Sequence, residues 1–130
     1  MTKASFAFLL VVGLVAVANV PTVTYAALTD SSHNLMVGSR VPGDYLLSQQ
    51  IISKSSKWLR IVTKDITFNT SNYQTITQVR ALDQKTNGNG AYASITSGGP
   101  GNHNVTVHFK SIRGHSINFI LEIYGRQSTL

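Results

Sequence analysis

Alternation of apolar and polar residues in the C-terminal part of the chain constrains its fold most strongly. In "NVTVHFKS", residues 104–111, Val105, Val107 and Phe109 alternate with polar residues. The same period of two continues through "SINFILEIYG", residues 116–125, with apolar side chains at Ile117, Phe119, Leu121 and Ile123. A period of two turns one face of a strand towards the core and the other towards water. The pattern predicts two half-buried β-strands.

A glycine-rich stretch, "NGNGAYASITSGGPGN" at residues 87–102, precedes these strands. A phosphate-binding loop would end in Gly-Lys-Ser/Thr and open a helix, but here no lysine follows the glycines and the next segment is a strand. We therefore interpret the glycines as turn residues. Asn87 to Gly90 is expected to form a tight hairpin with positive-φ residues. Gly98 to Asn102 and Arg113 to His115 are expected to form the next two reversals.

Three reversals in sequence predict a four-stranded antiparallel meander over residues 73–124. Upstream, "VPGD" at Val41 to Asp44 has proline at the favoured second position of a turn. The segment "YLLSQQII" follows as a strand, and "KWLRIVTKDITF" is interpreted as a strand with a bulge or with both faces buried. These segments predict an all-β fold, a single antiparallel β-sandwich or a small barrel of about six or seven strands.

The N-terminus has the order of residues that is typical of a secretory signal peptide. Lys3 is followed by an apolar run from Phe6 to Val17 and then by small residues. We expect residues 1–26 to form a signal peptide helix that is cleaved after Ala26, or alternatively after Ala18, and residues 27–130 to form one all-β domain. The run is shorter than the roughly 20 residues that span a bilayer, so no stable membrane anchor is expected after cleavage.

Charge and composition narrow the classes of partner. The formal charge of +6 falls to +5 when residues 1–26 are removed, because that segment contains one lysine and no acid. The one local cluster of bases, interpreted as a solvated face, contains Lys54, Lys57, Arg60 and Lys64. No signature of aromatic and basic residues indicates direct nucleic-acid binding. The chain has no cysteine, which excludes disulfides, thiol nucleophiles and cysteine-ligated zinc.

No constellation of residues indicates catalysis, and we predict no catalytic residue, no cofactor and no metal site. The five acids form no local pair, and Asp83, at a strand end, is interpreted as a cap for backbone amides. His33 lies in a polar leader that is expected to be mobile, and no spacing brings the four histidines together. Trp58 is interpreted as a packing residue, with a sugar-stacking surface as the alternative.

Two kinds of surface site are predicted. Asn69 in "NTS" and Asn104 in "NVT" are acceptors for N-glycosylation in a secreted chain. Because loops of β-sandwiches carry function more often than strands do, the turns are candidate partner-binding loops, with residues Asn87, Gly88, Asn89, Gly90, Arg113, Gly114 and His115.

Several motifs, in order, resemble the insect multiprotein bridging factor 2 family, many of whose members are described as probable salivary secreted peptides. The motifs are "HNLMVGSRVPGDYLL", "SSKWLRIVTKDITF", "ITQVRALDQKTNGNGAYASITSGGPG" and "VTVHFKSIRGHSINFILEIYGR". The resemblance covers about residues 34–126. It implies transcriptional coactivation, in which the protein bridges a DNA-bound regulator to the general transcription machinery through a protein partner.

The leader and the resemblance point to different compartments. No block of five or more lysines and arginines forms a nuclear localisation signal, whereas the leader directs the chain out of the cell. We therefore expect a secreted, non-enzymatic binding protein of insect saliva, venom or haemolymph with a protein partner. A coactivator located in the nucleus is the alternative, and the oligomeric state is left open.

Overall fold

The computed structural model describes residues 30–128 of the chain. The fold is that of the unit Ser31–Leu130. The predicted signal peptide helix and its cleavage sites at Ala18 and Ala26 lie outside the described residues. From residue 30 to residue 128, no helix is long and apolar enough to cross a membrane.

Seven β-strands form the regular structure of the described residues. In chain order they are β1 Leu35–Gly38, β2 Tyr45–Lys54, β3 Thr63–Asn69, β4 Gln74–Asp83, β5 Tyr92–Gly98, β6 Asn104–Lys110 and β7 Ile117–Gln127. They form one sheet with the order β1-β4-β7-β2 and a second with the order β3-β6-β5. All neighbouring strands are antiparallel. The prediction of an all-β antiparallel sandwich is confirmed.

The core lies between the two sheets and consists of the apolar positions of the alternating segments. The ring of Phe109 in β6 packs against that of Phe119 in β7, with centroids 5.0 Å apart, and so joins the second sheet to the first. The apolar residues that the alternation placed inside are all buried, namely Val105, Val107, Phe109, Ile117, Phe119, Leu121 and Ile123. Burial of each such side chain contributes about 1.5–3 kcal/mol.

The predicted meander over residues 73–124 is wrong. Only β5 and β6 form a hairpin, whose turn is Gly98 to Asn102, while β4 pairs with β7 in the other sheet. Asn87 to Gly90 and Arg113 to His115 therefore carry the chain between sheets and do not close hairpins. The physical reason is that alternation specifies which side chains face the core, whereas it leaves the neighbouring strand undetermined.

The segment "KWLRIVTKDITF" divides into a turn and a strand. Lys57 and Arg60 form an isolated antiparallel bridge around a two-residue turn, and β3 begins only at Thr63. The predicted strand is therefore wrong for its first residues and confirmed from Thr63 onwards. Along β3, exposed and partly buried residues alternate and the register with β6 is continuous, so the strand has neither the predicted bulge nor two buried faces. The register shifts of the described sheets lie in β2, β4 and β5.

The predicted turn "VPGD" connects β1 to β2 and contains a buried carboxylate. The Asp44 side chain, only 3 % exposed, accepts hydrogen bonds from Arg40 Nε at 2.8 Å and from the Val41 N–H at 2.9 Å. The hydroxyl of Thr77 in β4 donates a third at 3.1 Å. The Arg40 hydrogen bond is the main cause that lowers the pKa of Asp44 from 3.8 to about 2, with further support from the Val41 and Thr77 hydrogen bonds.

Candidate functional site

Three of the segments that cross between the sheets meet at one end of the sandwich, the loop end. Lys110 at the end of β6 pairs with both Thr63 and Tyr92, the first residues of β3 and β5. The segments at the loop end are residues 55–62, 84–91 and 111–116. The turn of the β5–β6 hairpin lies at the opposite end, the hairpin end. The structure therefore places both groups of predicted binding-loop residues at the loop end.

The most exposed aromatic side chain of the described residues lies on residues 57–60, the Trp58 turn. Trp58 is 86 % exposed, so its interpretation as a packing residue is wrong. The Arg60 N–H donates to the Lys57 carbonyl at 3.0 Å and closes the turn. Leu59, which is 55 % exposed, has φ +55°, a left-handed conformation that leucine rarely adopts. The turn is therefore strained at Leu59, and it exposes two large apolar side chains, Trp58 and Leu59, to solvent.

Segment 111–116 forms four hydrogen bonds with residues 59–62, and two of them reach the Trp58 turn itself. The Arg113 guanidinium donates to the Leu59 carbonyl at 2.9 Å, and the Gly114 N–H donates to the Arg60 carbonyl at 2.8 Å. The buried Ser111 exchanges two further hydrogen bonds with the backbone of Val62. Arg113 and Gly114, predicted as contact residues, therefore position the backbone of the Trp58 turn.

Four cationic side chains belong to the Trp58 turn or to segments next to it, and we call them the basic collar. The collar consists of Lys54, Lys57, Arg60 and Arg113, all of which are exposed. Within residues 30–128, the basic side chains that lie within 4.0 Å of a carboxylate are His33, Arg40, Arg80 and His108, so no member of the collar is among them. The positive charge of the collar is therefore not neutralised by a neighbouring carboxylate.

The residues of "NGNG" mainly determine the backbone conformation and packing of segment 84–91. Gly88 has φ +87°, as the sequence predicts, and the Asn87 side chain accepts a hydrogen bond from the Asn89 N–H at 3.0 Å. Gly90 does not have positive φ, contrary to that prediction. A Cβ at Gly90 would lie 2.0 Å from the Asp83 carboxylate, so glycine is needed here for close approach.

Asp83 and His33 connect residues 31–34, which precede β1, to the end of β4 and segment 84–91. The Asp83 carboxylate accepts hydrogen bonds from the His33 N–H at 2.9 Å and the Lys85 N–H at 3.0 Å, so it caps backbone amides as predicted. The His33 ring stacks on Tyr92 with centroids 4.1 Å apart, and its Nδ1 lies 3.0 Å from the Gly90 carbonyl oxygen. The prediction of a mobile leader at His33 is wrong, because these contacts fix it.

The two predicted glycosylation acceptors lie together at the hairpin end. Asn69, the last residue of β3, is the register partner of Asn104, the first residue of β6. Both are exposed. Their side chains are therefore accessible on the end of the sandwich opposite to the Trp58 turn.

Other titratable side chains are dispersed over the molecule. His103 Nδ1 contacts the carbonyl of Gln74, while His108 Nδ1 lies 2.7 Å from an oxygen of Asp65. Among the described residues, no three histidines, aspartates and glutamates lie close enough to hold a metal ion. The same part of the chain contains no enclosed pocket.

Comparison with known proteins identifies the family. The family model described as "Transcription activator MBF2" matches residues 37–125. The chain belongs to the MBF2 family. It is similar to a Bombus ignitus protein named "Probable salivary secreted peptide", with 61 % identity over 107 residues, which are 82 % of this chain and 80 % of the relative. No solved structure matches this chain.

The part matched by the MBF2 family includes the whole Trp58 turn and the segment that supports it. The matched region begins at residue 37 and so leaves out His33. Sequence reasoning missed the Trp58 turn, because β-branched residues after it favoured a continuous strand. The signal that could have revealed the turn is "KWLR", in which two bases flank two apolar residues just where the alternation changes parity.

Proposed function

We propose that the protein is secreted and acts by binding a partner, without catalysis, in insect saliva, venom or haemolymph. The relative named "Probable salivary secreted peptide" supports secretion, because 61 % identity extends over most of both chains. The predicted leader of residues 1–26 supports the same route. In a chain without cysteine, the packed core between the sheets supplies stability outside the cell.

The observation that carries the binding role is the exposed Trp58 turn. Large aromatic residues and arginine dominate the energetics of contact surfaces, and Trp58 lies beside Arg60 and Arg113. A Trp side chain that is 86 % exposed leaves a large apolar area in water unless a partner covers it. The turn is also fixed by hydrogen bonds, so little conformational entropy is lost when it binds.

A second candidate function is transcriptional coactivation through a protein partner. The description of the family model, "Transcription activator MBF2", favours it. The two functions differ in compartment, since a coactivator must remain inside the cell and enter the nucleus. Coactivation requires a protein partner. The secreted function requires a partner that binds the loop end, whatever its chemical class.

Expression of the full chain in insect cells tests the compartment. N-terminal sequencing and intact mass of the protein in the medium are expected to show a start at residue 27 or 19. Protein retained in cells with Met1 intact, and stained in nuclei, would support the coactivator and contradict secretion.

Size-exclusion chromatography in native saliva or haemolymph tests the contact role. The wild-type protein is expected to elute in a larger complex that Trp58→Ala loses. Tyr73→Ala is the matched control, because Tyr73 is 67 % exposed and precedes β4 at the hairpin end. Identical elution of the wild-type and Trp58→Ala proteins would contradict a role for the turn.

A further inference from the structure

The Trp58 turn combines an apolar apex with a cationic base. Trp58 and Leu59 form the apex, and Ile61, which is also exposed, continues the apolar surface. The exposed cations of the basic collar, Lys54, Lys57, Arg60 and Arg113, lie on the turn or close to it. Because the apolar apex is exposed and the neighbouring cations are not paired with carboxylates of the described residues, the surface fits a soft or recessed partner whose outer layer is negatively charged.

Three of the four carbonyl groups of the Trp58 turn already have hydrogen-bond partners within the protein. The carbonyl groups of Lys57, Leu59 and Arg60 accept hydrogen bonds from Arg60, Arg113 and Gly114 respectively. An exposed turn in water can leave such carbonyls to the solvent, whereas polar backbone groups that enter a lipid interface need partners within the protein. The three bonds therefore lower the cost of removing the apex from water.

A membrane interface, like the turn, combines an apolar layer with a charged layer, and the membrane charges are opposite in sign to those of the collar. Tryptophan prefers the boundary between headgroups and acyl chains, and lysine and arginine interact with anionic headgroups on the water side. When the apex enters this boundary, the collar lies at the level of the phosphates. An acidic protein would satisfy the charges as well, but it would also need a pocket that receives a tryptophan and a leucine.

We propose that the Trp58 turn docks the protein reversibly on anionic phospholipid surfaces. This proposal rests on the contact role proposed above and names the surface that is contacted. Two or three apolar side chains anchor a protein only weakly, so docking is peripheral and agrees with the expectation of no stable membrane anchor. The collar makes docking sensitive to salt, since exposed charges are screened over about 10 Å at 0.1 M salt.

Trp58 is the single tryptophan of the chain, so its fluorescence reports directly on the proposed contact. The protein secreted by insect cells is mixed with vesicles of phosphatidylcholine and phosphatidylglycerol, or with vesicles of phosphatidylcholine alone. We expect a blue shift, and quenching by brominated lipid, only with the anionic vesicles. Absence of both changes with the anionic vesicles would overturn the proposal.

Variants assign the binding to the apex and the collar. In vesicle co-sedimentation, Trp58→Ala is expected to weaken binding at least about tenfold, and Arg60→Gln about fivefold. Tyr73→Ala and Arg126→Gln, exposed residues near the hairpin end, are the matched controls and should bind like wild type. Circular dichroism of each variant verifies the fold. Equal loss in the controls would overturn the assignment to the turn.

A further arm distinguishes a lipid surface from an acidic macromolecule. A blue shift with polyglutamate or heparin but not with anionic vesicles would overturn the lipid proposal and leave the contact role of Trp58 intact. If the protein is instead retained in cells with Met1 intact, the secreted function fails whatever the vesicles show. The two failures are therefore distinguishable.

Discussion

At Leu59 the backbone adopts φ +55°, which crowds a leucine Cβ against the following carbonyl. Glycine would adopt this conformation without strain, so leucine is not the residue that optimises the stability of the turn. Its exposed side chain, however, adds apolar surface to the apex beside Trp58. Strain of this kind occurs frequently at binding sites.

Leu59→Gly is expected to leave the free energy of unfolding unchanged or to raise it by up to about 1 kcal/mol. Relief of about 1–2 kcal/mol of strain is partly offset by the backbone entropy of glycine. The same variant should bind anionic vesicles more weakly. Chemical denaturation and co-sedimentation provide the two measurements.

Ile51→Gly is the matched control for Leu59→Gly, because Ile51 is 78 % exposed but lies within β2. Glycine there should lower stability by about 1 kcal/mol. Similar destabilisation by both substitutions would show that Leu59 is not strained.

Gly90→Ala is expected to destabilise the protein by about 2–3 kcal/mol. The new methyl group would lie 2.0 Å from the Asp83 carboxylate, which would have to leave its backbone amides. Gly88→Ala, in the same segment, is the control and should cost only about 1–2 kcal/mol of left-handed strain. If denaturant unfolding shows that both variants lose the same free energy of unfolding, the proposed clash between residue 90 and Asp83 is contradicted.

At the scale of the elements, the stability of the β1–β2 turn depends on an ionised carboxylate. Asp44 there binds Arg40, Val41 and Thr77, and these contacts favour the ionised carboxylate. Because the pKa of Asp44 falls from 3.8 to about 2 in the folded state, the folded protein binds a proton less readily than the unfolded chain. The resulting stability is fully present above pH 3.8 and is lost as the pH falls through about 2.

Asp44→Asn should therefore be less stable than wild type at neutral pH, with a difference that shrinks as the pH falls from about 4 to 2. Unfolding free energies measured across this range provide the test. Arg40→Gln should reproduce part of the loss, because Arg40 is the main cause of the lowered pKa. A difference that stays constant down to pH 2 would contradict this origin.

Elements also show what the sequence could and could not predict. The buried faces of β6 and β7 follow from alternation, because the side-chain period of a strand is independent of its neighbours. The pairing of β4 with β7 was not predictable in this way, because the alternation within each strand is compatible with several different partner strands. The Trp58 turn was missed because Leu59 occupies a backbone conformation that its residue type gives no reason to expect.

At the scale of the described domain, the proposed docking surface and the predicted glycosylation acceptors occupy opposite ends. Glycans at Asn69 and Asn104 would extend from the hairpin end and leave the Trp58 turn uncovered. A molecule docked through the turn would therefore present its glycans to the solvent.

Asn69→Gln and Asn104→Gln, alone and together, are expected to reduce the intact mass of the secreted protein stepwise and to leave vesicle binding unchanged. The reason is the separation of the two ends by the length of the strands. Mass spectrometry and co-sedimentation measure the two effects. Weaker vesicle binding by the double variant, with an unchanged fold, would contradict this separation.

The position of β7 has a consequence for how the domain is made. β7 lies between β4 and β2, so the first sheet lacks a central member until residues 117–127 have left the ribosome. Of consecutive strands, only β5 and β6 are partners, and most strand pairs join distant parts of the chain. Such high contact order slows folding to milliseconds or longer. Nascent chains must therefore keep the edges of β2 and β4 from aggregating until synthesis reaches the strand that covers them both.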